Sequence, residues 1–169
     1  MKSLRFVLSV VLLSLSTLAF AHSDAQKSFD KLKTLAGSWL GTYDADPLHV
    51  SLRVTSMGNA LIDEMKSSGP ENPITMFNPE WDRLLLTHYC DAGNRPRMVG
   101  KIAPDGKTVE FDFLDVAGST QPGHMHHRTF TIIDANHHTE DWTYMLPGDK
   151  PETCPPRPSA NKVIGTYFQ

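Results

Sequence analysis

Hydrophobic and polar positions change period once along this chain. Phe29, Leu32, Leu35 and Ala36 recur at helical spacing, with Lys27, Lys31 and Lys33 between them. Ser23 or Asp24 can cap the start, and Gly37 can end the helix in a left-handed cap. A helix of about three turns needs a surface to pack on. Beyond Gly37 the period falls to two. Leu48, Val50, Leu52 and Val54 alternate with His49, Ser51, Arg53 and Thr55, as in a strand with one buried face. The pattern predicts further strands at Ala60–Lys66, Pro73–Phe77, Arg83–Cys90, Arg97–Ile102, Thr108–Leu114, His126–Ile133 and Thr139–Leu146. Turn signals separate them: Met57-Gly58-Asn59, Ala92-Gly93-Asn94, Pro104-Asp105-Gly106-Lys107 and Pro147-Gly148-Asp149. Many short strands joined by tight turns, with no helical crossovers, indicate an all-β fold. The simplest topology is an up-and-down antiparallel β-barrel with one short N-terminal helix; closure removes the exposed sheet edges.

The ends differ from this middle. Lys2 and Arg5 precede an apolar run from Phe6 to Leu18, and Ala19-Phe20-Ala21 supplies small residues where a signal peptidase reads. The run is shorter than the roughly 20 apolar residues that cross a bilayer. Residues 1–21 therefore read as a signal peptide, 22–150 as the barrel domain and 151–169 as a proline-rich tail. Pro151-Glu152-Thr153-Cys154-Pro155-Pro156-Arg157-Pro158 is not expected to build a ladder, because proline lacks the donor N–H. Val163–Phe168 can still pair as a last strand. The expected location is the periplasm or the medium, with no membrane anchor after cleavage. An oxidising compartment would permit a Cys90–Cys154 disulfide, which spacing alone leaves open.

The formal net charge is −3, and loss of Lys2 and Arg5 makes the remainder more acidic. Nucleic-acid binding needs clustered basic residues, so it is not expected here. The chain has no phosphate loop, dinucleotide fingerprint or His-Glu-x-x-His. Serine is second, not third, in Gly37-Ser38-Trp39-Leu40-Gly41, so there is no nucleophile elbow.

Gly37-Ser38-Trp39 resembles the Gly-x-Trp motif that opens the first strand of lipocalins, where the tryptophan plugs one barrel end. Trp39-Leu40-Gly41 is similar to the start of nitrobindin-type and fatty-acid-binding-like barrels. Leu86-Thr87-His88-Tyr89-Cys90 with Gly93-Asn94, Pro96-Arg97-Met98, His124-Met125-His126 and Asp134 to Trp142 resembles an uncharacterised family of secreted bacterial lipocalin-like proteins. The resemblance covers Phe29 to Lys150 and implies a calycin-like barrel with Trp39 and Gly37 in structural roles. It implies no reaction. The late arginine that lipocalins set against the motif's tryptophan has no counterpart by sequence, and neither does the haem histidine of nitrobindins.

Candidate chemistry rests on histidines. His88 shares a strand face with Leu84, Leu86 and Cys90, so it points into an apolar interior if that face is inward. Arg97 follows the Gly93-Asn94 turn and is expected beside His88 on the inward side, favouring an anion or a polar head group. His88, Arg97, Cys90 and Tyr89 are the expected ligand-binding residues. In an extended chain His124 and His126 project to one side, and with His88 they could hold Zn, Cu, Ni or Fe. His137 and His138 look like part of a hairpin turn. Three functions follow. The first is a binder of a partly apolar or anionic small molecule; binding is favoured over catalysis. The second is a metal- or haem-dependent protein with isomerase or redox chemistry. The third is a structural protein with a filled core.

Overall fold

The computed structural model describes residues 23–43 and 46–147 in full and the backbone of 150–151 and 162–168. Helix α1 spans Asp24–Lys33, with the Ser23 hydroxyl accepting from the Gln26 amide at its start. The helix stops before Gly37, at a Thr34 C-cap in ordinary right-handed geometry. Gly37, φ 152°, instead opens the first strand, which corrects the expected glycine cap.

Nine strands then run up and down: β1 (Gly37–Tyr43), β2 (Asp46–Thr55), β3 (Ala60–Lys66), β4 (Ile74–Glu80), β5 (Arg83–Tyr89), β6 (Arg95–Ile102), β7 (Thr108–Ala117), β8 (His124–Ile132) and β9 (His137–Leu146). Each pairs antiparallel with the next. A two-residue β10 (Lys150–Pro151) lies against the end of β9, so Pro151, expected outside any ladder, is paired with Met145. β11 (Lys162–Phe168) pairs with both β9 and β1 and joins the last strand of the meander to the first. The molecule is an all-β, up-and-down antiparallel barrel with one short helix. Cys154 and most of the proline-rich tail, like the signal segment, lie outside the described residues, and so does any Cys90–Cys154 bridge.

Alternation decides what fills the interior. Val50 and Leu52 on β2, Leu61 on β3, Phe77 on β4, Leu84 and Leu86 on β5, Met98 on β6 and Phe111 on β7 are all buried. Phe77, Phe111 and Phe130 form an aromatic cluster with ring centroids 5.4–6.2 Å apart. Gly100 is paired with Phe111, and a Cβ there would lie 2.4 Å from that ring, so only glycine leaves it room. The helix lies across one barrel end. Phe29 and Leu32 are fully buried, and the Ile102 amide donates to the Ser28 hydroxyl. Trp39 sits beneath, 2% exposed, its indole N–H donating to the Leu35 carbonyl at 2.8 Å.

Candidate functional site

Polar side chains occupy inward positions where alternation alone would place apolar ones. Asp63 lies between Leu61 and Met65 on β3, Thr75 precedes Phe77 on β4, and His88 follows Leu86 on β5. Asp63 is paired with Thr75 and Thr75 with His88, so the three form one row across the inner wall. From β8, fully buried Arg128 reaches over the interior to this row. Its guanidinium donates to Asp63 Oδ2 and Glu140 Oε2, each at 2.5 Å, and to Thr75 Oγ1 at 3.0 Å. Glu140 Oε1 lies 3.0 Å from His138 Nε2, and the His138 ring meets Trp39 edge-on at 4.2 Å. The guanidinium stacks over Phe130 at 4.5 Å and Trp142 at 5.3 Å.

One cation faces two carboxyl groups here, and the carboxyls are not equivalent. Burial raises the Asp63 pKa to about 7, against the pull of Arg128, and the Glu140 charge raises it further. Burial also opposes ionisation of Glu140, but Arg128 and the hydrogen bond from His138 outweigh it and hold its pKa below the usual value. Arg128 stays charged, since both carboxyls offset its desolvation. The interior thus carries an ion pair, Arg128 with Glu140, and a carboxyl at Asp63 that retains its proton up to near neutrality.

His88 is the outer member of this row and 5% exposed. Burial, and then the charge of Arg128, lower its pKa to about 3, so the ring is neutral. Its Nδ1 lies 2.9 Å from Thr75 Oγ1. The ring lines a cavity of about 400 Å³ at the barrel end opposite the helix. Leu48, Met65, Met125, Pro73 and Trp142 supply apolar walls. A larger groove of about 600 Å³ runs over outer-face residues of β1–β4, including Leu40, His49, Lys66 and Ile74. It has no buried ionisable side chain, so the chemistry assigns the site to the smaller cavity.

Several expected site residues lie elsewhere. Arg97 does not join His88: the register pairs it with Thr87, on the opposite, outer face. It forms a bidentate ion pair with Asp115, with close to half of each side chain exposed. A hairpin turn fixes register, and a one-residue offset moves a side chain through the sheet. Tyr89 is exposed on that outer face too, and Cys90 lies half-buried just past the end of β5. Gly93 is the left-handed residue of the β5–β6 turn, with φ 80°. Asn94 is buried and its amide donates to the Ser119 and Gly123 carbonyls, tying two loops together.

The histidine triad is not assembled. His124 Nε2 and His126 Nδ1 are 3.4 Å apart and both rings pack on Phe113. The two rings share a side, as expected, although a register shift between Met125 and His127 makes His126 the extra residue of a bulge. Of this segment, Met125 reaches the cavity that His88 lines. Among the described residues, no three His, Cys, Asp or Glu side chains converge as metal ligands. His137 does close the β8–β9 turn, on Asp134. His138, expected in that turn, is instead an inward residue of β9. Its ring packs edge-on against Trp39.

No family model matches the chain, and no curated protein matches it. Solved structures do. Rv2717c from M. tuberculosis is similar over 84% of this chain and 98% of its own, with a TM-score of 0.55 and 12% identity. A protein of unknown function from the DUF3598 family, Npun_R4044 of Nostoc punctiforme, is similar over 81% of this chain, with a TM-score of 0.52 and 11% identity. The alignment spans about half of that longer chain, 49%. Likeness at identities this low shows the fold alone.

One consequence of the site is a pH dependence that His88 governs. Its folded pKa, about 3, lies below the ordinary 6.5. Its contribution to stability is therefore complete above 6.5 and is lost as pH falls toward 3, by up to about 1.4 kcal/mol per pH unit. Asp63 acts in the opposite sense, because a raised carboxyl pKa favours folding below 3.8 and loses that contribution as pH rises through about 7. Comparing His88→Gln with the parent isolates the histidine. The difference in unfolding free energy is expected to be constant above pH 6.5 and to shift toward the variant from pH 6 to 4. A parallel pair of curves would mean that His88 is not held neutral.

Proposed function

We propose that this is an exported, calycin-like barrel that binds a small, largely apolar molecule at its open end. The observation that supports this most is the cavity of about 400 Å³, walled by apolar side chains and holding one buried, neutral histidine ring anchored from behind. A cavity of this size, apolar with few polar groups, suits a small-molecule ligand. The outward Arg97 removes the reason for expecting an anionic head group. The leader pattern supports export, and the mature N-terminus expected from it is His22; sequencing the N-terminus of protein from the periplasm or medium checks this.

Phenylnaphthylamine, a neutral apolar dye, provides the test of binding. It is expected to bind with one-to-one stoichiometry and enhanced emission. Met125→Trp, which fills the cavity from its wall, should weaken it at least about tenfold, the effect of losing roughly 1.4 kcal/mol of contact. Arg97→Leu should leave it unchanged. Equal binding to Met125→Trp and the parent would place the dye elsewhere and defeat the proposal.

The second reading is coordination of haem or a metal ion by His88 with His124 or His126. A ligating imidazole needs an unprotonated nitrogen facing the metal. The nitrogen that accepts from Thr75 is Nδ1, as argued next, which leaves the proton on Nε2 at the cavity. The residues present fit a hydrogen-bond donor better than a metal ligand.

A further inference from the structure

We infer that the cavity takes an uncharged ligand whose buried polar atom is a hydrogen-bond acceptor of carbonyl type, received by the Nε2–H of His88. This rests on the cavity being a binding site and goes on to name what it selects. The inference turns on one hydroxyl. Thr75 is 2% exposed, and its Oγ1 has two partners, Arg128 Nη1 at 3.0 Å and His88 Nδ1 at 2.9 Å. The guanidinium can only donate, so it occupies a lone pair of Oγ1. The Thr75 proton then has a single acceptor within reach, His88 Nδ1. Were Nδ1 protonated instead, the Thr75 hydroxyl proton would be buried without a partner, which is costly. Satisfying the Thr75 hydroxyl fixes the tautomer: Nδ1 accepts and Nε2 carries the hydrogen.

Arg128 therefore acts at a distance. It orients Thr75, and Thr75 sets which nitrogen of His88 faces the ligand. The same positive charge, with burial, keeps the ring neutral, so the cavity presents a neutral donor and no cation. The rim adds a second filter. The lining includes Asp46 and Glu71 and, among the described residues, no lysine or arginine. An anion would meet two carboxylates and find no counter-charge. A pure hydrocarbon would leave the His88 N–H without an acceptor. A ketone, ester or amide on an apolar body satisfies the donor and the walls together.

Four probes of equal chain length separate these cases by displacement of bound phenylnaphthylamine: methyl hexyl ketone, octane, octanoate and octylamine. The ketone is expected to displace the dye at roughly tenfold lower concentration than octane, the scale of one buried hydrogen bond. It should also outperform octanoate and octylamine. Thr75→Val keeps shape but removes the hydroxyl, and should reduce the ketone preference over octane to within about twofold, as should His88→Phe. Nitrogen NMR of the unmutated protein should show Nε2 protonated and Nδ1 not, independently of any variant. An unprotonated Nε2, or octane, octanoate or octylamine matching the ketone, overturns the inference while leaving the cavity a binding site. Failure of the dye and all four probes to bind overturns the cavity reading, and this inference with it.

Discussion

Replacing Arg128 with methionine is expected to destabilise the protein by about 3–5 kcal/mol, measured by urea unfolding at neutral pH. The guanidinium is fully buried and bonds Asp63, Glu140 and Thr75, groups contributed by strands on both sides of the interior. Its removal leaves Glu140 charged in an apolar surround and strips Thr75 of a donor. The carboxyls would be forced to protonate, so the loss should be smaller at pH 4 than at pH 7. The companion experiment replaces the charged set together, Arg128→Met with Asp63→Leu and Glu140→Leu. Most of the loss should then be recovered, because desolvating an ion network roughly offsets its internal attraction. The apolar triple variant should nonetheless lose the ketone preference proposed above, since nothing then orients Thr75. A single-variant cost below about 1 kcal/mol would mean that the network is hydrated and contributes little.

Trp39→Ala is the second large effect, at about 3–5 kcal/mol. The ring is buried under α1, donates to Leu35 and is met edge-on by His138. Truncation opens a cavity between the helix and the barrel. It also removes the indole donor from the Leu35 carbonyl at the junction of helix and strand. Urea unfolding reads the total, and proteolysis near α1 reads its location: the helix should become cleavable before the barrel does. A change under about 0.5 kcal/mol, the scale of an exposed position, would contradict the burial that defines this end of the barrel.

The two predictions draw on different levels of information. Trp39 was legible through the resemblance that its Gly-x-Trp segment bears to a barrel-opening motif. The strand order was equally legible: from β2 to β9 each segment shows its own period of two, and tight turns leave sequential neighbours to pair. His88 was found by the same rule, sharing a face with Leu84 and Leu86. Arg128 was passed over although it alternates with Phe130. So were Asp63, between Leu61 and Met65, and Glu140. Each is a charge on an apolar face, and that is the signal that could have revealed the network.

Partners were a different matter. Alternation states which face a side chain occupies within its own strand, but not the register to the next or what lies across the interior. Arg97 follows a tight turn and so returns beside the His88 strand, but the turn signal leaves the register open, and the register pairs Arg97 with Thr87 on the opposite face. His124 and His126 share a side as alternation predicts, but whether a third ligand from another strand reaches them is not written in either strand's pattern. The bond from Arg128 to Asp63 spans 65 residues of sequence, and no local pattern encodes it. The helix, the strands and their inward faces follow from the chain, since each depends on neighbours within a few residues, and the Trp39 plug followed from the motif resemblance. Only the tertiary structure decided that Arg128, Thr75 and His88 form one chain of hydrogen bonds ending at a cavity, because closing the barrel is what brings β3, β4, β8 and β9 within reach of one guanidinium.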